Sequence, residues 1–356
     1  MWLLRRRAAG RSQGSIALAR IALDAMGGDR APEVPIAGAL LALAELDPAH
    51  TVQLVGRTDD VSAELDAQLR AATGLPAGVR ERVSVIEAPE VIEMSEKPTA
   101  AIRSKPNSSM AVGLKLHATG QADAFVSAGN TGAQMAASVF LLKLHAGLTR
   151  PAIAATFPTQ RKPVVVLDAG ANVDCSAEEL VQFARLGAVY AEDILDRANP
   201  AVGLLSIGEE PEKGNAAVKD AHKMLETTDL NFLGNVEGRD ILTGGSDRGV
   251  IDVVVCDGFV GNVVLKFYES VPGMIMSMMT KGGVPKDVLA KIFKGFDYSD
   301  YGGAPLLGVR GVSIISHGSS SPRAIKNAIG VALRAVERRM VEHIGRRLDA
   351  NAVAQS

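Results

Sequence analysis

Cysteine is nearly absent from this 356-residue chain, which holds only Cys175 and Cys256. Two cysteines cannot build a disulfide framework, so a reducing cytoplasm is the simple reading. Both stand near the ends of apolar runs, where buried, inert thiols are expected. An excess of one charge is lacking too. The chain has 38 basic and 40 acidic side chains, a net charge of −2. No global field therefore favours nucleic acid, and no zinc-finger spacing or other nucleic-acid motif occurs. No run of about 20 apolar residues exists, so no segment is expected to span a bilayer. The chain has no G-x-G-x-x-G and no G-x-x-x-x-G-K-[ST], hence no dinucleotide fingerprint and no Walker loop. H-E-x-x-H and clustered His/Cys spacings are missing as well. No metal and no cofactor are expected.

What is present is ordinary for a globular protein: 47% apolar and 22% charged residues. The length suits one large domain or two lobes. The opening stretch MWLLRRRAAGRSQGS is too short in apolar residues for a signal peptide. Residues Met1–Ala19 are read as a disordered extension, or as translation from an upstream start codon. From Arg20 onward, short apolar runs alternate with helical periods, which argues for an α/β fold with a largely parallel sheet. The runs include 20–26, 52–55, 83–86, 124–127, 153–157, 164–167, 202–207, 231–233, 251–256 and 312–316. They are continuous rather than alternating, as expected of strands covered on both faces. Only PTQRKP joins the runs ending at Phe157 and starting at Val164. So short a link predicts an antiparallel pair and a mixed, open sheet rather than a regular barrel. Residues 20–356 are read as a single α/β domain, ending in one long helix from Pro322 to about Leu348.

Several strands run into glycine-rich turns that open helices. ALDAMGGDRAPEV carries Asp24, Gly27, Gly28 and Asp29, with Asp29 expected as an N-cap. FVSAGNTGAQMA carries Ser127, Gly129, Asn130 and Thr131. VVVCDGFVGNVVLKF carries Gly258, Gly261, Asn262 and Lys266. IISHGSSSPRAIKNA carries His317, Ser319 and Ser320. A helix N-terminus presents unbonded N–H groups and a partial positive charge, glycine admits close approach, and phosphate or carboxylate is the natural occupant. In the third stretch, Val260, Val263, Val264, Phe267 and Val271 are spaced as a core-facing stripe. Asn262 and Lys266, four apart, share another face, and Lys266 leans back toward the junction. LLSIGEEPEKGNAAV places Lys213, with Glu209 and Glu210, before another helix. DAGANVDC adds Asp168, Asn172 and Asp174.

Taken together, IALDAMGGD, VSAGNTGA, LDAGANVDC, SIGEEPEKGN, GNVEGRD, VVVCDGFVGNVVLK, YSDYGGAPLLGV and HGSSS resemble the bacterial phosphate acyltransferase family of phospholipid synthesis (PlsX). The resemblance covers Arg20 to the C-terminus in the family's order. It implies a homodimer with a three-layer α/β/α fold, similar to isocitrate and isopropylmalate dehydrogenases and to phosphotransacetylase. It also implies a reaction: inorganic phosphate attacks the thioester of a long-chain acyl group on acyl carrier protein, giving acyl phosphate. That chemistry needs no protein nucleophile, only a held dianion and a stabilised oxyanion. The junctions at Gly129–Thr131 and Gly258–Asn262, with Lys266, are expected to hold phosphate. Lys213 or His317 is expected to polarise the thioester or protonate the departing thiolate.

Lys97, Arg103 and Lys105 form a basic stretch that suits docking of the acidic carrier protein. Residues 271–296 are read as a protruding, methionine-rich helical segment. Met274, Ile275, Met276, Met278, Met279, Leu289, Ile292 and Phe293 are expected at a dimer interface or on a lipid surface. The implied location is cytoplasmic, peripherally on the inner face of the cell membrane. Two other readings fit the residues: a phosphotransacetylase-like enzyme using acyl-CoA, and a non-catalytic lipid-surface scaffold that binds phosphorylated ligands. A decarboxylating dehydrogenase of the same fold would need nucleotide and metal contacts that the sequence lacks.

Overall fold

The continuous apolar runs are strands in the computed structural model, which describes residues 18–292 and 301–354. The chain begins β1 (Arg20–Asp24), α1 (Glu33–Glu45), β2 (Thr51–Gly56), α2 (Thr58–Ala71), β3 (Val83–Glu87), α3 (Pro98–Ser104), α4 (Ser109–Ala118), β4 (Ala124–Ser127) and α5 (Thr131–Leu142). It continues β5 (Ala152–Ile153), β6 (Ala155–Phe157), β7 (Val164–Leu167), α6 (Ala177–Leu195), β8 (Ala201–Leu205), α7 (Ala216–Glu226), β9 (Asn231–Val236), α8 (Gly238–Thr243), β10 (Gly245–Ser246), β11 (Gly249–Val250) and β12 (Val253–Val255). The remainder is α9 (Gly258–Lys281), α10 (Lys286–Ile292), β13 (Ala304–Leu307), β14 (Ser313–Ile315), α11 (Pro322–Glu337) and α12 (Met340–Ala354).

Where the sequence suggests one domain over 20–356, internal contacts divide the chain into two compact units. The first holds 18–146 and 301–345, the second 147–292 and 346–354. In the first, the strand order β3-β2-β1-β4-β14-β13 is parallel up to β14, with β13 antiparallel at β14. The direction of winding reverses between β1 and β4, where open α/β sheets place their ligands. In the second, the order is β6-β7-β12-β8-β9, parallel except for β6 against β7. The antiparallel pair predicted from the PTQRKP link is this β6–β7 ladder, Ala155 to Val166 through Phe157 to Val164. β4, β7 and β12 are buried along their whole length, as expected when both sheet faces are covered.

Three local expectations are corrected. Asp29 does not cap α1, which starts at Glu33 with Pro32 in the cap position. Its N–H instead donates to Gly318 O at 2.8 Å, so the chain makes further turns before the helix begins. The long C-terminal helix is two, α11 and α12, because Arg339 takes a left-handed φ of 51°. The valine stripe of α9 faces outward rather than toward the core: Val263 is 53% and Phe267 66% exposed, and Val264 and Val271 are half-buried. The buried face is Gly258, Gly261, Leu265 and Tyr268. Two glycines let the helix backbone descend onto the loop after β7, closer than a valine face could. Tyr268 then seals that face, its hydroxyl donating to Pro158 O at 2.7 Å and its ring edge-on to Phe157. β13 escapes the sequence reading because Pro305 lies within it, a residue that argues against a strand.

Candidate active site

In the second unit, β7 delivers Asp168 to a short loop and folds its carboxylate back into that loop. Oδ1 accepts the N–H groups of Ile153 (3.0 Å), Gly170 (3.2 Å) and Ala171 (3.0 Å). Oδ2 accepts the Asn172 N–H at 2.7 Å and its side-chain Nδ2 at 2.8 Å. Burial pushes the Asp168 carboxyl above its ordinary range, and these donors pull it back down. The Asn172 amide also donates to Pro151 O at 2.8 Å, so both its protons are spent on the fold.

The neighbouring strand β12 opens α9 directly against this loop. Asp257 caps the helix, its Oδ1 accepting the Val260 N–H at 2.9 Å. The two glycines assigned to phosphate have other work. Gly258 donates its N–H to Asn172 O at 2.7 Å, and Gly261 donates to Asp257 O at 2.9 Å. A Cβ on Gly258 would meet the Asp168 carboxylate and the Asn172 backbone. Both are packing glycines rather than open amide donors. Asn262, one residue on, has its side chain 3.4 Å from the space a Gly170 Cβ would fill, and Gly170 takes φ +132°. Its amide makes no hydrogen bond among the described residues. The Lys266 ammonium pairs with Glu269 at 2.8 Å on the helix surface instead of leaning to the junction. Both cysteines belong to this neighbourhood. Cys256 Sγ lies 3.7 Å from Asp168 O and Cys175 Sγ 3.8 Å from Asn172 O. Burial raises both thiols, Cys175 to about 11.

β8, parallel to β12 with Leu204 opposite Val255, delivers the third piece. Its following loop carries Glu209, Glu210 and Lys213, and Asn215 then caps α7 by accepting the Val218 N–H at 2.9 Å. The Lys213 ammonium is exposed and has no ionic or hydrogen-bond partner among the described residues. The loop is anchored by Asn235 and Arg248, which the sequence reading does not single out. They lie 25 and 39 residues from the carbonyls they hold, so no local pattern reveals them.

The first unit repeats the buried-aspartate device at its own strand ends. Asp24, after Leu23 as Asp168 is after Leu167, accepts the Met26 N–H at 3.1 Å and the Ser127 hydroxyl at 2.7 Å. Ser127 in turn accepts the Gly129 N–H at 3.0 Å. Burial raises the Asp24 carboxyl, with Ser109, Ser127 and backbone N–H groups opposing. Gly27 is required where a Cβ would lie 2.8 Å from both Asp24 Oδ2 and Gly129 N.

Asn130 is a structural residue, not a free amide. Its Oδ1 caps α5 through Ala133 N at 3.0 Å, and its Nδ2 faces the carbonyls of Glu93, Met94 and Glu96 within 3.3 Å. Thr131, exposed in the first turn of α5, keeps an N–H with no intrahelical acceptor. Gly28 takes φ +107° against Gly318 O. His317 is tied within its own turn. The Ser319 N–H donates to its Nδ1 at 3.2 Å. The Ser319 hydroxyl lies 2.7 Å from the same atom, and the Ser320 N–H donates to His317 O.

Of the basic docking stretch, Lys97 and Arg103 are exposed. Lys105 is committed elsewhere, with its ammonium on Glu96 at 2.6 Å and on Val91 O at 2.7 Å. In the methionine-rich segment Met274, Ile275, Met276 and Met278 are exposed, Met279 is half-buried and Leu289 is buried. Phe293 lies outside the described residues.

Comparison with known proteins follows this geometry. Residues 19–343 match the family model described as "Fatty acid synthesis protein". A phosphate acyltransferase of Desulforamulus reducens is 48% identical over 340 residues, 93% of this chain and 97% of the relative. One from Pelotomaculum thermopropionicum is 48% identical over 91% of this chain and 94% of its own. Among solved structures, the EutD phosphotransacetylase from Staphylococcus aureus superposes with a TM-score of 0.58 at 15% identity, covering 90% of this chain and 95% of that one. A phosphotransacetylase from Streptococcus pyogenes gives 0.57 at 15% identity, over 89% and 94%. At such identities these two show the fold alone.

Proposed function

The chain belongs to the fatty acid synthesis protein family, with curated relatives named phosphate acyltransferase, and on that premise we propose that it moves a long-chain acyl group from acyl carrier protein to inorganic phosphate. A phosphate oxygen attacks the thioester carbonyl carbon. The carbonyl oxygen becomes an oxyanion, the C–S bond breaks, and the carrier thiolate leaves to take a proton.

The observation that carries this reading is the pair Lys213 and Asn262. An ammonium and a side-chain amide, both without partners among the described residues, follow the adjacent parallel strands β8 and β12. Adjacent strands lie about 4.8 Å apart, so both groups serve one end of the sheet. Lys213 is the group that meets the developing oxyanion, and Asn262 at the first turn of α9 holds phosphate. Lys266 joins the phosphate by leaving Glu269.

The finer partners are part of the same proposal. Lys97 and Arg103 dock the acidic carrier protein. The outward side chains of α9, among them Phe267, Met274 and Met278, serve a homodimer contact and meet lipid at the methionine-rich end. No helix among the described residues is long and apolar enough to cross a membrane.

The test is direct: acyl-carrier thioester and phosphate are incubated with the protein and acyl phosphate is assayed. Formation with the carrier substrate and weak formation with acyl-CoA supports the proposal. The reverse preference selects the phosphotransacetylase-like reading. Failure with both selects a non-catalytic scaffold.

A further inference from the structure

β9 is irregular, and the irregularity serves the loop that carries Lys213. Pairing with β8 runs from Val202–Phe232 to Gly203–Gly234, leaving Leu233 as an extra residue. Gly234 takes φ +92° at this bulge. A one-residue bulge re-aims the side chains that follow it. The next residue is Asn235, which is wholly buried.

The Asn235 amide faces two ways. Its Nδ2 donates to Glu210 O at 2.7 Å, and its Oδ1 lies 2.9 Å from Nδ1 of the buried His222. His222 in turn reaches Glu226 through Nε2 at 3.4 Å. Arg248, beside the β10–β11 turn, completes the arrangement. Its Nη1 donates to the bulge carbonyl Leu233 O at 2.9 Å, and its Nη2 donates to Glu209 O at 3.0 Å. Gly234 makes room for this guanidinium, since any Cβ there would overlap it. The carbonyls of the successive residues Glu209 and Glu210 are therefore both held from outside the loop. Lys213 hangs on the second of them, because its own N–H donates to Glu210 O at 3.0 Å.

A solvated connection would leave these carbonyls to water. A buried primary amide is costly unless it is bonded on both sides, as Asn235 is here. We infer that Asn235 and Arg248 are positioning residues: they fix the backbone from which the Lys213 ammonium extends, and they act on turnover through Lys213. The inference rests on the reading that Lys213 meets the thioester. Misplacing a catalytic group by about 1 Å can cost on the order of a hundredfold in rate.

A double-mutant cycle in the full-length protein separates positioning from general stability. Acyl phosphate formation from the acyl-carrier thioester is followed for Asn235→Ala, Arg248→Met, Arg248→Lys and Lys213→Met, singly and combined. Asn235→Ala and Arg248→Met each lower kcat about tenfold or more, while KM for phosphate stays within about threefold. Arg248→Lys restores part of the loss. On the Lys213→Met background, the same substitutions change the residual rate by less than about twofold. Equal fold losses on both backgrounds overturn the inference, because they report a damaged fold rather than a displaced lysine. Should Asn235→Ala fail to fold, Arg248→Met at its exposed turn decides the question alone. If Lys213→Met itself turns over like the parent, Lys213 is not catalytic. The proposed role of that residue then falls, and the positioning inference with it.

Discussion

Gly261 lies on the backbone carbonyl of Asp168 with no room between them for a methyl group. This contact lets the first turn of α9 sit on the loop after β7. Gly258 closes the same seam through its N–H to Asn172 O. Glycine to alanine inside a helix ordinarily gains about 1 kcal/mol. Gly261→Ala is expected to reverse the sign and lose about 2–3 kcal/mol through overpacking. Urea denaturation measures it, and a gain in stability would refute the contact.

Asn130 ties the start of α5 to the carbonyls of Glu93, Met94 and Glu96. Asn130→Ala removes both the cap and those ties, an expected loss of about 2 kcal/mol. Asn130→Ser keeps a cap oxygen but cannot reach the loop, and its midpoint should fall between. Equal stability of Asn130→Ser and the parent would mean that only the cap matters.

Lys266 rests on Glu269 at 2.8 Å. If it joins phosphate during turnover, Lys266→Met lowers kcat/KM for phosphate more than about tenfold, the worth of a charge-assisted hydrogen bond. Glu269→Gln frees the ammonium and should leave phosphate use unchanged or improved. Unaltered kinetics in Lys266→Met would remove this residue from the site.

The Cys175 thiol is pushed from an ordinary 9.0 up to about 11, chiefly by burial. Its folded value is raised, so the thiol form adds stability below pH 9 and that share is lost as pH rises through about 11. At pH 8 the thiolate is about a hundredfold scarcer than in the unfolded chain. Alkylation by iodoacetamide should slow in proportion in the native protein and accelerate steeply above pH 10. A rate equal to that of the unfolded chain would contradict this environment.

The exposed apolar side chains of α9 predict adhesion to vesicles of anionic lipid. The protein should float with such liposomes, and a variant with Phe267, Met274 and Met278 changed to serine should not. Undiminished flotation would place lipid contact elsewhere. Sedimentation of the parent and this variant tests the proposed homodimer: a dimeric parent with a monomeric variant would assign the inner part of this face to the second copy.

Much of this protein was legible in its sequence. The β–α alternation, the antiparallel β6–β7 pair and the family followed from apolar run length, the brevity of the PTQRKP link and the ordered motifs. Those signals are local, set by residues within one or two turns of chain. N-caps such as Asn130, Asp257 and Ser321 are local too, each bonding a neighbour three residues on, but the cap the sequence named was Asp29, which does not cap α1.

Tertiary structure alone decided which groups are free. The motif residues Asn130, Asn172, Gly258 and Gly261 look like ligand donors in sequence, yet their N–H and amide groups are consumed by partners many residues away or by close packing. Lys105 and Lys266 are paired, whereas Lys213 has no partner among the described residues. The valine stripe of α9 also misled for a physical reason: helical spacing gives a face but not its direction. Backbone approach through two glycines outweighed the burial of valines. The bulge that aims Asn235 at Glu210 O lies at the start of the GNVEGRD motif, but what it does, with Arg248 beside it, is decided by contacts across strands.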